Sequence, residues 1–221
     1  MKRITLFAVL FTIVLTSWGK TRVQLSFNGS PSVNWMNTNN RYSYNEKLTL
    51  GYDFGISGDV FFSENERYSL LTGLQIINTG GAISYRTSNS FEFAGSDLEP
   101  GTQIKYRIRY VEIPLSIKLK TDQFRRVRYW GQLGLSAMVN IGANCDTNEG
   151  TFRKANINSE INLFNLAMNV GAGFDFDLGG NNSVTAGLIF QNGLVDVTTD
   201  HGLLTDKTII NSLKLRVGLI F

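Results

Sequence analysis

The sequence of 221 residues has few of the groups on which soluble enzymes and metalloproteins depend. Its only cysteine is Cys145, so the chain has no internal disulfide and no cluster of thiolate metal ligands. Its only histidine is His201, and a metal site with one histidine would be weak. The formal net charge is +3, and its scattered cations form no basic block of the kind that binds nucleic acid.

A long hydrophobic run is also lacking, because no apolar segment is long enough to cross a bilayer as a helix. The longest run, residues 4–15, follows Lys2 and Arg3 and precedes the small residues Ser17 and Gly19. This order is typical of a secretory signal peptide. We therefore predict a signal peptide over residues 1–19 and one mature domain over residues 20–221.

What the sequence does contain is alternation. In residues 48–62 one parity is apolar, and the other carries small or polar residues such as Thr49, Gly51, Asp53, Ser57 and Asp59. The same pattern recurs at residues 23–28, 68–76, 104–119, 127–141, 164–177, 184–191 and 212–221. Several of these runs are about twice as long as a typical globular strand, which favours membrane-crossing strands over a soluble sandwich.

The connections between these segments alternate in length. Short polar turns occupy residues 63–66, 121–125 and 179–182, and long loops occupy residues 37–47, 87–103, 143–160 and 193–207. Outer-membrane barrels have short periplasmic turns and longer external loops. We therefore predict an all-β fold: an eight-stranded antiparallel up-and-down transmembrane β-barrel in the outer membrane, with both termini periplasmic.

The fourth alternating segment changes parity. Apolar residues occupy even positions from 104 to 110 and odd positions from 111 to 119. One extra residue would keep both sets on the lipid face, so we predict a β-bulge near Tyr110 and Val111. Pro114, which cannot donate to a strand ladder, fits a local irregularity.

This register predicts an ion-pair network in the lumen. It turns Arg107, Arg109, Glu112 and Lys118 inward, where buried charges must be paired, with Glu112 at the centre. Further inward residues on the same register are Asp53, Asp59, Trp130, Asp175, Asp177, Arg128, Lys214 and Arg216. Because eight strands enclose space for little beyond side chains, we expect this network to be structural, with a proton or ion path as the alternative.

Two sequence features resemble a known family. The stretch RYVEIPLSIK at residues 109–118 is similar to the "Y-hydrophobic-E-I-P-L" stretch of the PorT-like outer-membrane barrel family, which is typical of Bacteroidetes. Phe221, the last apolar member of the 213–221 series, resembles the signal read by the barrel assembly machinery. The resemblance implies an outer-membrane barrel. The family's named member assists protein secretion and gliding, which makes a secretion accessory one expected role.

We expect a non-enzymatic outer-membrane protein without a cofactor, acting as a scaffold, an adhesin or an accessory of a secretion or envelope complex. Its expected partners are outer-membrane lipid, the assembly machinery and other envelope proteins that reach the long loops. Two alternatives stay open. One is a lipid-modifying barrel enzyme with His201 as its base. The other is a small channel or ligand-binding barrel.

Overall fold

The computed structural model describes residues 22–39, 43–63, 65–85, 91–93, 96–98, 101–148, 153–199 and 207–221. The predicted signal peptide, residues 1–19, lies outside the described residues. Within these ranges the chain forms one short 3-10 helix, Asn158–Glu160, and twelve strands: β1 (Val23–Thr38), β2 (Ser43–Lys47), β3 (Thr49–Phe61), β4 (Tyr68–Tyr85), β5 (Phe91–Phe93), β6 (Ser96–Leu98), β7 (Gln103–Lys120), β8 (Val127–Thr147), β9 (Ala155–Asn156), β10 (Phe164–Gly179), β11 (Asn182–Gly193) and β12 (Thr208–Ile220). No helix in the described ranges is long and apolar enough to cross a membrane.

Eight long strands close into a barrel. Each is antiparallel to its neighbours, in the order β1, β3, β4, β7, β8, β10, β11 and β12. The ring closes where β12 pairs with β1, with Ser26 opposite Ile220 and Thr38 opposite Thr208. Closure leaves no long strand with an unpaired edge, as a wall surrounded by lipid requires. The predicted eight-stranded antiparallel barrel is therefore confirmed.

The outer surface carries a belt of exposed apolar side chains. On β12 this face runs from Leu213 to Phe221, about 27 Å along the strand at 3.4 Å per residue. At a strand tilt of about 40° this corresponds to roughly 21 Å of height, close to the apolar band of known barrels. Leu50, which is 89% exposed, shows how completely the belt faces outward. In water such a surface would aggregate, so it faces lipid.

The two ends of the barrel differ. One end, the turn end, carries short connections such as the two-residue turn of Gly180 and Asn181 between β10 and β11. Gly179, the last residue of β10, and Gly180 adopt positive φ angles of 100° and 68°. A tight hairpin needs these angles, and glycine adopts them without steric cost. The other end, the loop end, carries the longer connections, which follow β1, β4, β8 and β11.

The predicted bulge in the fourth long strand is wrong. Alternation in β7 is unbroken: even-numbered residues from Ile104 to Lys120 all face inward. The irregularity lies in the next strand, β8, because Arg109 pairs with Gly142 whereas Tyr110 pairs with Asn140. Ile141 is the extra residue. Beyond it, the inward parity of β8 changes from even to odd.

The parity change in the sequence therefore has another cause. Toward the loop end, Ile104, Tyr106, Ile108 and Tyr110 of β7 point into the barrel, and charged residues alternate with them on the outside. This part of the wall has an apolar interior and a polar exterior, like a soluble protein. We call it the extension. Its apolar interior and polar exterior indicate that the barrel wall continues past the lipid belt into water.

Candidate functional site

The barrel interior between the extension and the turn end is polar and contains equal numbers of buried acidic and basic side chains. Alternation on four strands, β3, β7, β10 and β12, turns charged side chains inward, where they are buried. In the described residues the buried charged groups are four acids and four bases: Asp53, Asp59, Glu112, Asp175, Lys118, Lys120, Lys214 and Arg216. Charges removed from water need partners, and the equal numbers leave these buried groups with no net charge.

The first of two ion-pair clusters lies near the turn end. Lys118 Nζ lies 2.9 Å from Asp59 Oδ2 and donates a hydrogen bond to it. Lys120 Nζ bridges two carboxylates, 3.4 Å from Asp59 Oδ2 and 3.0 Å from Asp175 Oδ2. Strands β3, β7 and β10 are thereby connected across the interior. The cluster fixes the distance between opposite walls.

The second cluster lies at mid-height. Lys214 Nζ is 3.2 Å from Asp53 Oδ2 and 3.4 Å from Glu112 Oε2. Glu112 is 2% exposed and also accepts a 2.8 Å hydrogen bond from Gln191 Nε2. Arg216, one inward position further toward the turn end, donates to Gln132 Oε1 at 3.4 Å. Five of the eight long strands, β3, β7, β8, β11 and β12, contribute a group, so this cluster is part of the core packing.

Trp130 fills the space beside the first cluster. Its indole Nε1 donates a 3.1 Å hydrogen bond to Thr185 Oγ1, and Lys118 Nζ lies 5.1 Å from its ring centroid. The ring occupies room left by two glycines: an added Cβ on Gly173 or Gly187 would lie 2.5 Å from Trp130 Cζ2. The predicted inward orientation of Trp130 is confirmed, and the glycines opposite it explain how a narrow barrel accommodates an indole.

The four residues of the predicted network separate into two pairs. Glu112 and Lys118 are in the interior, in different clusters. Arg107 and Arg109 are on the outer surface of the extension, where Arg107 pairs with Asp146 and Arg109 Nε donates to Asn78 Oδ1 at 3.2 Å. Their predicted inward position is wrong, because β7 contains no bulge and its odd residues face outward throughout.

Other predicted residues lie in different parts of the barrel. Arg128 and Asp177 lie at the opening of the turn end, where Arg128 Nη1 is 2.7 Å from Glu66 Oε2. Phe221 pairs its backbone with Leu25 and exposes its ring toward lipid. Recognition of Phe221 by the barrel assembly machinery stays a prediction. His201 lies outside the described residues.

Sequence reasoning missed Lys120 and Gln191 as members of the interior network. Lys120 shares the parity of Glu112 and Lys118 on the same strand, so the alternation could have identified it. Gln191 lies on the polar parity of β11. No local signal pairs it with Glu112, because their contact joins residues 79 apart in sequence.

The extension closes the interior above the charged region. Its core contains buried apolar side chains from six long strands and the loop segments beside them: Met36, Ile77, Ile83, Ile104, Tyr106, Ile108, Tyr110, Met138, Ala143, Cys145, Ile157, Ile161, Ala167, Val197 and Ile210. At Gly81 the wall is pinched inward, since an added Cβ would lie 2.8 Å from the backbone nitrogen of Met36. Strands β1 and β4 approach each other there across the interior.

The turn end, in contrast, opens into a polar cavity of about 170 Å³. Arg22, Arg126, Asp175 and Asn181 are among its lining residues, and Lys120 connects it to the first ion-pair cluster. The polar interior is thus accessible from the turn end and covered by the apolar core at the loop end. In the described part of the chain, no group of three or more His, Cys, Asp and Glu side chains could hold a metal ion.

Comparison with known proteins shows that this architecture is that of an outer-membrane barrel. A protein-family model described as "Outer membrane protein beta-barrel domain" matches residues 17–198. Neisserial surface protein A (NspA) has a similar structure, with a TM-score of 0.51 and 12% identity over 91% of this chain and 98% of that one. OprG from Pseudomonas aeruginosa gives 0.45 and 10% over 90% and 95%. The outer membrane protease OmpT from Escherichia coli gives 0.45 and 10% over 91% and 95%.

The similarity to NspA, at 12% identity, concerns the fold alone, because a shared fold does not imply a shared activity. No curated protein matches the chain significantly.

Proposed function

Because this chain belongs to the outer membrane protein β-barrel domain family and lies in the outer membrane, we propose that it is a non-conducting, non-enzymatic scaffold. Its role is to hold the loops of the loop end outside the cell, where they bind a surface or an envelope partner. In outer-membrane barrels the turn end is periplasmic and the loop end is external.

One observation carries this proposal: the apolar core of the extension. A conducting barrel needs a continuous wet path, and here the interior between the loop end and the ion-pair clusters contains buried side chains such as Ile104, Tyr106 and Met138. A barrel wall that continues beyond lipid around its own core also makes a rigid base. Binding residues commonly lie on loops that such a base positions.

The same reasoning supports two forms of the scaffold, an adhesin and an accessory of a secretion or envelope complex. The stretch at residues 109–118, with its resemblance to the PorT-like family, favours the accessory. In the structure this stretch runs from the outer surface of the extension at Arg109 to the ion-pair cluster at Lys118. Its outward residues Ile113, Leu115 and Ile117 are exposed on the lipid face, where a partner in the membrane could contact them.

Planar-bilayer recording tests the proposal. The purified wild-type barrel should give no unitary currents. A matched variant with a truncated core, Ile104→Ala with Ile108→Ala and Met138→Ala, should give small openings, because it replaces buried side chains with cavities along the interior. Stable unitary currents from the wild-type protein would refute a non-conducting barrel.

A second measurement addresses the enzyme alternative. Outer-membrane lipids from cells that make the wild-type protein, the His201→Ala variant or neither should have identical mass spectra. A lipid species that depends on the wild-type protein and disappears with His201→Ala would identify a lipid-modifying enzyme instead of a scaffold.

A further inference from the structure

Four cations lie together on the outer surface of the extension. Arg107 has a side chain that is 48% exposed, and Lys47, Lys105 and Arg109 are exposed as well. Lys105, Arg107 and Arg109 are successive outward residues of β7. Lys47 is in the same cross-strand row as Lys105, since both pair with Ala82 of β4. We call these four residues the basic patch.

The basic patch lies directly above the lipid belt. On β7, Arg109 is four residues from Ile113, the nearest half-exposed apolar residue, or about 14 Å along the strand. Lys47 is followed at once by Leu48, which is 68% exposed, and then by Leu50. Arginine and lysine stems reach several ångströms, so these charged groups are at the height of the lipid headgroups.

Charge in the patch is only partly neutralised within the described residues. Asp146, the nearby acid, pairs with Arg107 and accepts a 2.7 Å hydrogen bond from the backbone nitrogen of Lys154. Asn78 orients the Arg109 guanidinium through one of its five N–H donors and adds no charge. In the described parts of β1, β10, β11 and β12, outward residues at the loop end are uncharged. The cluster of outward cations therefore lies on one side of the barrel, and Lys207, just before β12, is a single exposed cation on the other side of the described loop end.

We propose that the basic patch binds the phosphate-bearing headgroup of an anionic lipid in the outer leaflet. Guanidinium groups bind phosphate oxygens through paired N–H donors, and Lys47 and Lys105 add point charges beside them. The lipid's acyl chains then lie against Leu48, Leu50 and Ile113 below the patch. This site is on the outside of the wall, so it does not depend on whether the lumen conducts.

Lipid binding in zwitterionic detergent micelles tests the proposal. Wild-type protein is titrated with bis-phosphorylated lipid A, and bound lipid is counted by native mass spectrometry. The patch variant carries Lys105→Gln, Arg107→Gln and Arg109→Gln. The matched control carries Arg67→Gln, Arg125→Gln and Arg126→Gln, which removes the same charge from exposed positions at the turn end. A heat-dependent shift in gel mobility verifies that each variant has folded.

The patch variant should bind lipid A on the order of 100-fold more weakly than wild type, from the attraction that each juxtamembrane cation contributes. The control should stay within about threefold of wild type. Dephosphorylated lipid A should bind the wild-type protein as weakly as lipid A binds the patch variant.

Equal losses in the two triple variants would overturn the proposal, because attraction by net charge alone would then explain binding. Equal binding of the dephosphorylated lipid, or no lipid A binding by the wild-type protein, would overturn it too. If the patch variant fails to fold, the single variants Lys105→Gln and Arg109→Gln replace it, each with an expected loss of roughly fivefold.

Discussion

Replacing Lys214 by methionine should destabilise the barrel strongly, although methionine fills nearly the same space. Lys214 Nζ lies within 3.4 Å of carboxylate oxygens of both Asp53 and Glu112, and all three side chains are buried. The variant leaves two buried carboxylates without their common cation. Removing one partner of a buried ion pair typically costs about 3–5 kcal/mol, which lowers the ratio of folded to unfolded protein by about a thousandfold.

The double variant Glu112→Gln with Lys214→Met restores the balance of charge. It removes one buried charge of each sign, and Asp53 keeps the attraction of Arg216. We expect its free energy of unfolding to exceed that of the Lys214→Met single variant by about 1 kcal/mol or more, within the range of coupling between contacting residues. The free energy is measured by urea unfolding in phosphatidylcholine vesicles, with gel mobility and circular dichroism as probes.

The control is Lys105→Met, which removes the same charge from the outer surface and should change the free energy of unfolding by less than about 0.5 kcal/mol. Two results would refute the reasoning. One is a loss below about 1 kcal/mol for Lys214→Met, which would mean that water or ions enter the interior and screen the carboxylates. The other is a double variant as destabilised as the sum of its single variants, which would mean that Glu112 and Lys214 do not interact.

Three further predictions concern the wall and the extension. Gly187→Ala should cost about 1–3 kcal/mol in urea unfolding because its Cβ would overlap the interior tryptophan, whereas Gly58→Ala, 3.6 Å from its nearest neighbour, should be neutral. Deleting Ile141 should still give a folded, heat-shifted barrel, whereas deleting Leu135 should abolish folding because it reverses both faces of one half of β8. Burial raises the pKa of Cys145 to about 11, so maleimide should label it slowly at neutral pH until urea unfolds the chain.

Alternation predicted most of the barrel because lipid imposes a strict condition on every strand that crosses it. On β12 and the residue after it, every outward residue from Leu213 to Phe221 is apolar, and the inward residues Lys214 and Arg216 are buried and charged. The orientation of Trp130 followed from the same rule. Residues that the rule governs directly could therefore be assigned from the sequence alone.

The extension could not be assigned in this way, because its parity obeys a different condition. Above the lipid belt, apolar residues belong inside, so Ile104–Tyr110 and Ile113–Leu119 take opposite faces without any bulge between them. One feature of the sequence argues against a bulge in β7. A bulge in β7 would have placed three cations, Lys105 among them, in a narrow interior near one carboxylate, and buried charges without partners are costly.

The separate core of the extension also determines how freely the external surface can change. Tyr106 and its neighbours fix the ends of the strands before the loops begin, so a new loop meets a wall that is already folded. Substitutions and insertions in the loops then have little effect on the lipid-embedded segments, which must satisfy the bilayer and the assembly machinery. Such an arrangement permits rapid sequence divergence outside the cell, and it makes the barrel a suitable frame for displaying grafted peptides.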